Sequence, residues 1–308
     1  MIYTLTLNPV IDKAIYLNDF NVGQVNYTDK ALCFAAGKGI NVSRALNRFK
    51  VENTAYIVGG GKVFDNMLTL GGFNFEIFDR GAVVRENLKI CDVKNSLFTD
   101  FNEKGEESKS GCSEVFARLS SILNSSDILV LSGSLRKNMS ENAYFDLTTL
   151  CRQKGAICML DADNLPLKQG ILANPNLVKI NIFEFCRLCG EEFDDIKKIS
   201  AKARTFLSEG SDGITSFIVT LGRDGAILAD KTGTYYGKCQ GITPIYTAGA
   251  GDCFMAALIY CEKNGFSSTD ALSFCLAASG LKTMCAPDEI PSLEQINAKI
   301  VDTTVSMQ

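Results

Sequence analysis

The spacing of apolar and polar positions changes several times along this chain. Residues 2–7 form a short strand-like apolar run closed by Asn8-Pro9. Residues 12–20 and 25–34 read as extended, with no helical period. A helix is predicted from Ala36-Gly37-Lys38-Gly39-Ile40-Asn41 to residue 49, followed by a strand over 54–58, three glycines (Gly59, Gly60, Gly61) and at most a short helix over 64–70. Residues 83–93 and 96–102 are strand-like and divided by Lys94-Asn95. From Gly111 the pattern becomes regular: helix 113–124, strand 127–131, helix 140–154, strand 156–160, strand 177–180, helices 182–189 and 194–208, strand 216–221. Residues 223–246 are strand-rich with turns, and helices over 250–264, 268–285 and 292–303 are expected to close the chain.

Strands alternating with helices predict an α/β fold with a mostly parallel sheet covered on both faces. Ligands of such sheets bind beyond the carboxyl ends of the strands. Those ends carry Asn8, Ser132-Gly133-Ser134, Asp161, Asn181 and Gly222, which should share one edge with Gly249, Ala250, Gly251 and Asp252. The non-helical stretches at 10–35 and 83–103 interrupt the rhythm and can pair into a small second sheet, a lid over that edge. Residues 1–308 are expected to form one domain.

Composition narrows the classes. With 46% apolar residues the chain can bury a large core, and a net charge of −4 without a basic run argues against nucleic acid as a partner. No apolar run reaches membrane length and the N-terminus lacks the features of a signal peptide, so a soluble cytoplasmic protein is expected. There are 12 cysteines and no histidine. The one CxxC, Cys186 to Cys189, lacks the further ligands a zinc site needs. Acid–base chemistry must therefore come from Asp, Glu, Lys or backbone groups.

Gly249-Ala250-Gly251-Asp252 opens an apolar helix, and the free N–H groups of such a terminus suit a phosphate or a developing anion. Asp252 at that rim is either a general base or a simple helix cap. Cys253 follows it at a position that favours thiolate, unless burial makes it inert. Gly37-Lys38-Gly39-Ile40-Asn41 is a second glycine turn at a helix start, either a ligand contact or an ordinary loop. Period two places Arg85, Asn87 and Lys89 on one strand face, suited to a substrate phosphate or to solvent. Asn181 and Glu184 are spaced to hold the waters of Mg²⁺, or to form a capping box. Thr220-Leu221-Gly222 with Gly225 allows backbone approach to a nucleotide, or a plain hairpin. Gly59 to Lys62 is not a Walker A loop, and no Gly-x-Gly-x-x-Gly follows a strand.

Together these segments resemble the ribokinase-like (PfkB) carbohydrate kinases, in particular the branch of the 1-phosphofructokinases and tagatose-6-phosphate kinases. The resemblance rests on Thr6-Leu7-Asn8-Pro9 with Asp12, Gly37-Lys38-Gly39-Ile40-Asn41-Val42, Thr99-Asp100-Phe101-Asn102, Leu131-Ser132-Gly133-Ser134-Leu135 and Gly249-Ala250-Gly251-Asp252, in the family's order along essentially the whole chain. It implies a three-layer α/β/α sandwich with a small β-sheet lid that often pairs two subunits, hence a homodimer. It implies ATP and Mg²⁺ as cofactors and admits a monovalent cation. By resemblance Asp252 is the base and residues 249–252 the anion hole. Asp12, Gly37, Lys38, Asn41 and Ser132 belong to the sugar phosphate, with Arg85 and Lys89 at its phosphate. Lys179, Asn181, Thr220, Gly222 and Gly225 lie near ATP, and Asn181 and Glu184 serve Mg²⁺ through water. The implied reaction phosphorylates fructose 1-phosphate at its 6-hydroxyl; tagatose 6-phosphate and fructose 6-phosphate are the rival substrates, and a non-catalytic sugar-phosphate sensor is the rival class. The chain departs from the family in three places. Ile180 replaces the proline of Lys-Pro-Asn, and Arg136 replaces the proline after Ser-Gly-Ser-Leu; both read as local changes. The 59–72 stretch is shorter than usual and could reshape the sugar pocket.

Overall fold

The computed structural model describes residues 1–95, 97–108, 111–208 and 213–308. Its elements begin with β1 (Ile2–Thr6), β2 (Val10–Leu17), β3 (Lys30–Ala36), α1 (Lys38–Arg48), β4 (Thr54–Val58), α2 (Lys62–Leu70), β5 (Asn74–Phe78), β6 (Arg85–Asp92) and β7 (Leu97–Asn102). The middle of the chain adds α3 (Ser113–Ile122), β8 (Ile128–Ser132), α4 (Ala143–Lys154), β9 (Ile157–Asp161), α5 (Asn164–Leu172), β10 (Leu177–Asn181), α6 (Ile182–Cys189), α7 (Ile196–Arg204) and β11 (Ser216–Thr220). It ends with β12 (Ala226–Asp230), β13 (Gly233–Cys239), α8 (Ala250–Lys263), α9 (Ser268–Thr283), α10 (Leu293–Lys299) and β14 (Thr303–Met307).

Ten strands form the central sheet in the order β14-β13-β12-β11-β10-β9-β8-β1-β4-β5. From β5 to β11 the pairs are parallel, and β12 to β14 continue antiparallel. Strand β8 shows why its segment reads as an unbroken apolar run: all five residues are buried. Leu129 and Leu131 face the core under α3 to α7, while Ile128 and Val130 face the core under α1 and α8 to α10. Helices on both faces make the three-layer α/β/α sandwich expected from the resemblance.

The two non-helical insertions pair as expected, giving a four-stranded sheet ordered β3-β2-β6-β7. Strands β2 and β6, far apart in sequence, run parallel at its centre. Residue 96, placed in the expected strand over 96–102, lies outside the described residues. Among the described residues no helix is long and apolar enough to cross a membrane.

Three elements differ from expectation. Strand β5 lies on the sheet edge beyond β4, in a stretch left unassigned by the sequence. Helix α5 was also missed, because Pro166 and Gly170 interrupt its pattern; Pro166 sits in the first turn, where a missing N–H costs nothing. The chain closes on a strand rather than on a helix over 292–303: α10 stops at Lys299, and the β-branched Thr303, Thr304 and Val305 pair with β13.

Candidate functional site

The carboxyl ends of the parallel strands meet the start of α8. Gly249 is that helix's N-cap and takes the left-handed conformation, φ 81°, which favours glycine. Asp252 is the third helical residue and makes no capping bond, so the cap reading fails. Its side chain is buried, and Oδ2 accepts a hydrogen bond from Asn41 Nδ2 at 2.7 Å. Burial, reinforced by the charge of Asp161, pushes its carboxyl above the usual range, although Lys38, Asn41 and Lys179 pull the other way. Asn41 is itself oriented by Arg44, whose Nη1 donates to Asn41 Oδ1 at 3.0 Å.

Asp161, at the end of β9, is the hub beside it. Lys38 Nζ donates to Asp161 Oδ1 at 2.7 Å and lies 3.5 Å from Glu184 Oε1. Lys179 donates to Asp161 Oδ2 and, at 3.1 Å, to the Gly251 carbonyl. Burial opposes the Asp161 charge, but Lys179 and Lys38 outweigh it and hold the carboxyl below the usual range. Burial likewise works against Lys38, yet Asp161, Glu184 and Asp252 raise its ammonium above normal, so it stays charged. The structure therefore seats Lys38 in this acidic cluster, away from Arg85 and Lys89.

The glycines on either side of Lys38 serve packing. A Cβ on Gly39 would lie 2.5 Å from the Leu5 carbonyl, so α1 rides directly on β1. That contact delivers Asn41 to Asp252.

Asn181 and Glu184 form the capping box of α6: Asn181 Oδ1 accepts from the Glu184 N–H at 3.0 Å, and Glu184 Oε2 accepts from the Asn181 N–H at 2.8 Å. Burial raises the Glu184 carboxyl despite Lys38. Its Oε1 faces the cluster, an arrangement that fits a largely hydrated Mg²⁺ held by few protein oxygens. Among the described residues no group of three or more His, Cys, Asp or Glu converges as a metal site. Thr220 pairs in register with Asn181, and Gly222 and Gly225 form the turn between β11 and β12. The hairpin reading holds for that turn, which lies along the same edge.

A second polar group lines the lid. Asn87 Nδ2 donates to Asp12 Oδ1 at 3.1 Å, and Lys89 Nζ lies 3.8 Å from Asp12 and 3.5 Å from Asp100. Arg85 Nη1 donates to Asn87 Oδ1 at 3.2 Å and to the Glu103 carbonyl at 2.9 Å. Burial raises the Asp12 carboxyl against the pull of Lys89. Among the described residues, Arg85 Nε, Asn8 Oδ1 and Ser132 Oγ are buried without hydrogen-bond partners.

Some expectations change. Cys253 is 1% exposed and burial pushes its thiol up to about 12, so the thiolate reading is overturned. Arg136 is not a local change. Its buried guanidinium donates to the Val83 carbonyl at 2.8 Å and the Val58 carbonyl at 3.0 Å, joining the approach to the lid strand β6 to the end of β4. It occupies the space over Gly59, where a Cβ would lie 2.1 Å from Nη2.

Two residues escaped the sequence reading. Tyr246 lines a pocket with Asp12, Asn41, Arg44 and Gly249; among the described residues its buried hydroxyl has no hydrogen-bond partner, and its ring meets lid residue Phe98 edge-on at 6.3 Å. Lys282 lines the same pocket from α9. A lysine ending the apolar run 271–281 was the available signal.

A 1-phosphofructokinase of Borreliella burgdorferi is 30% identical over 282 residues, 90% of each chain. A tagatose-6-phosphate kinase of Staphylococcus epidermidis is 29% identical over 84% of each chain. The structure of phosphofructokinase-2 from Escherichia coli in complex with substrates and products superposes with a TM-score of 0.90 at 22% identity, covering 97% of this chain and 98% of that one. The sequence model of the pfkB family carbohydrate kinases matches residues 5–292, and the chain belongs to that family.

Proposed function

We propose that this protein transfers the γ-phosphoryl group of ATP to the 6-hydroxyl of fructose 1-phosphate, giving fructose 1,6-bisphosphate and ADP. The observation that carries the reading is Asp252: a buried carboxylate with a raised pKa, held by Asn41 in the first turn of a helix whose N–H groups face the same space. A base tuned upward accepts a hydroxyl proton more readily than an ordinary carboxylate. The sugar oxygen forms its bond to the γ-phosphorus while the bond to the β–γ bridging oxygen breaks, and the hydroxyl proton passes to Asp252. The α8 N-terminus neutralises the transferring group. Mg²⁺ bound to the ATP phosphates would neutralise further charge, with Glu184 and Asn181 reaching it through water.

Arg85 and Lys89, with Asp12 and Asn87, suit the phosphate and hydroxyls of a phosphosugar. Relatives named 1-phosphofructokinase favour fructose 1-phosphate, and the tagatose-6-phosphate kinase relative keeps that sugar as the second reading. With ATP as donor, the cytoplasm is the compartment we propose, and the lid and sandwich act as one catalytic unit. The test is ADP release over a panel of free and phosphorylated ketohexoses. Fructose 1-phosphate should give the highest kcat/KM; a preference for tagatose 6-phosphate would move the assignment to the second reading, and silence with all of them would end the kinase reading.

A further inference from the structure

Lys282 is the cation in this fold that the proposed reaction leaves unexplained. It lies in the last turn of α9, where a lysine ordinarily reaches solvent, yet it is 2% exposed. Its Nζ donates to the carbonyls of Ala286 at 3.1 Å and Pro287 at 2.9 Å. It also sits 6.0 Å from the centre of the Tyr246 ring. Among the described residues no carboxylate forms an ion pair with it. Burial pulls its pKa down and Arg44 adds to that pull; the Cys253 and Cys285 thiols and, after them, the Asp288 carboxylate push the other way without overcoming it.

Its place in the fold makes this odder. A Cβ on Gly249 would lie 3.4 Å from Lys282 Cε, so the side chain runs directly behind the cap of α8. The N-terminus of a helix is itself positive and disfavours a neighbouring cation. A buried cation set beside a second positive centre, with neutral hydrogen-bond partners, is a poor arrangement until an anion enters the pocket that Lys282 and Gly249 both line. In the reaction read from Asp252, that anion is the transferring phosphoryl group.

We propose that Lys282 is a built-in cation of the phosphoryl-transfer site: from behind the α8 N-terminus it supplies the charge that a freely exchanging monovalent ion would otherwise have to bring, and turnover is therefore independent of added potassium. Two carbonyls and an aromatic face are also the ligands a potassium or ammonium ion would accept, so the tethered ammonium stands in for one. This inference rests on the kinase reading.

The experiment measures ADP formation from ATP and fructose 1-phosphate with chloride salts of tetramethylammonium, sodium, potassium or ammonium at constant ionic strength. The wild-type rate should be the same in all four. Lys282→Met should lower kcat by about tenfold or more, the scale of losing one fixed charge at a transition state, with the KM for ATP little changed. Lys282→Ala, which leaves the carbonyls and space for an ion, should be slow in tetramethylammonium and regain rate with potassium or ammonium. A wild type that turns over only with potassium overturns the inference and leaves the kinase reading intact. So does full kcat in Lys282→Met, or a Lys282→Ala variant with wild-type melting temperature that no cation rescues. If the alanine variant does not fold, the wild-type salt series still decides. A wild type that releases no ADP with any phosphorylated ketohexose defeats the kinase reading itself.

Discussion

At the scale of single residues, the chemistry turns on how Asp252 differs from an exposed aspartate. Its folded pKa is raised, so the folded state binds the proton more tightly than the unfolded chain does. Stability contributed by that proton is present at low pH and is lost as pH rises through the raised value; at neutral pH the charged side chain costs stability. Asp252→Asn removes the base and the buried charge together while keeping an acceptor for Asn41. It should lower kcat by about 10² or more and leave the melting temperature equal or higher. A variant with near-normal turnover would leave the site without a base. The wild-type kcat should fall on the acid side with a midpoint above the ordinary aspartate value, because the base works only when deprotonated. A limb centred at an ordinary carboxylate pKa would contradict the burial argument. Arg85 offers a second check. Its Nε is buried without a partner, so a substrate phosphate can complete it. Arg85→Ala should raise the KM for fructose 1-phosphate about tenfold or more, from the roughly 1.5–3 kcal/mol of a charge-assisted bond, and hardly alter that for ATP. Equal effects on both substrates would remove Arg85 from the sugar end. Asp252 and Arg85 were legible because glycine turns and strand period announce them. Tyr246 and Lys282 were not, because each is recruited through a contact between segments distant in the sequence.

At the scale of elements, the strands and helices whose two faces are buried were readable from their apolar runs, β8 and α8 above all. The misses share a cause: β5 is a short, half-exposed edge strand, α5 hides behind Pro166, and β14 depends on pairing with β13 more than on any pattern of its own. Arg136 shows the same limit from the other side. Its departure from the family's proline was visible, but its consequence depends on where β4 ends and where the chain enters β6. The guanidinium bridges those two backbones and pins the root of the lid to the sandwich. Arg136→Met would strand both carbonyls and should cost about 3 kcal/mol of unfolding free energy, given about 1–3 kcal/mol for each buried group left unpaired. Urea denaturation would measure it. Unchanged stability would mean that water replaces the guanidinium at no cost and that the root of the lid is not pinned by this residue.

At the scale of the molecule, the lid has two faces with different tasks. Alternation along β6 and β7 turns Arg85, Asn87, Lys89, Phe98 and Asp100 toward the site, which leaves Leu88, Ile90, Leu97 and Phe101 on the opposite face. Leu97 is 60% exposed and Phe101 55% exposed, an apolar surface on the four-stranded lid sheet. Strand β7 is also an edge, with unpaired backbone groups along one side. Exposed apolar area beside an open edge marks an interaction surface, and the simplest occupant is the same face of a second copy, related by a two-fold axis. If two lids pack together here, each holds the other at a fixed angle over its own site, and dimer formation bears on sugar binding more than on ATP binding. Phe101→Asp puts a charge into that interface while leaving the inward face of β7 intact. Sedimentation should then show the wild type as a dimer and the variant as a monomer, with the KM for the sugar phosphate raised in the monomer and the KM for ATP nearly unchanged. A wild type that sediments as a monomer at all accessible concentrations would show that the outer lid face is not a self-association surface, and would leave the inner face to position the substrate alone.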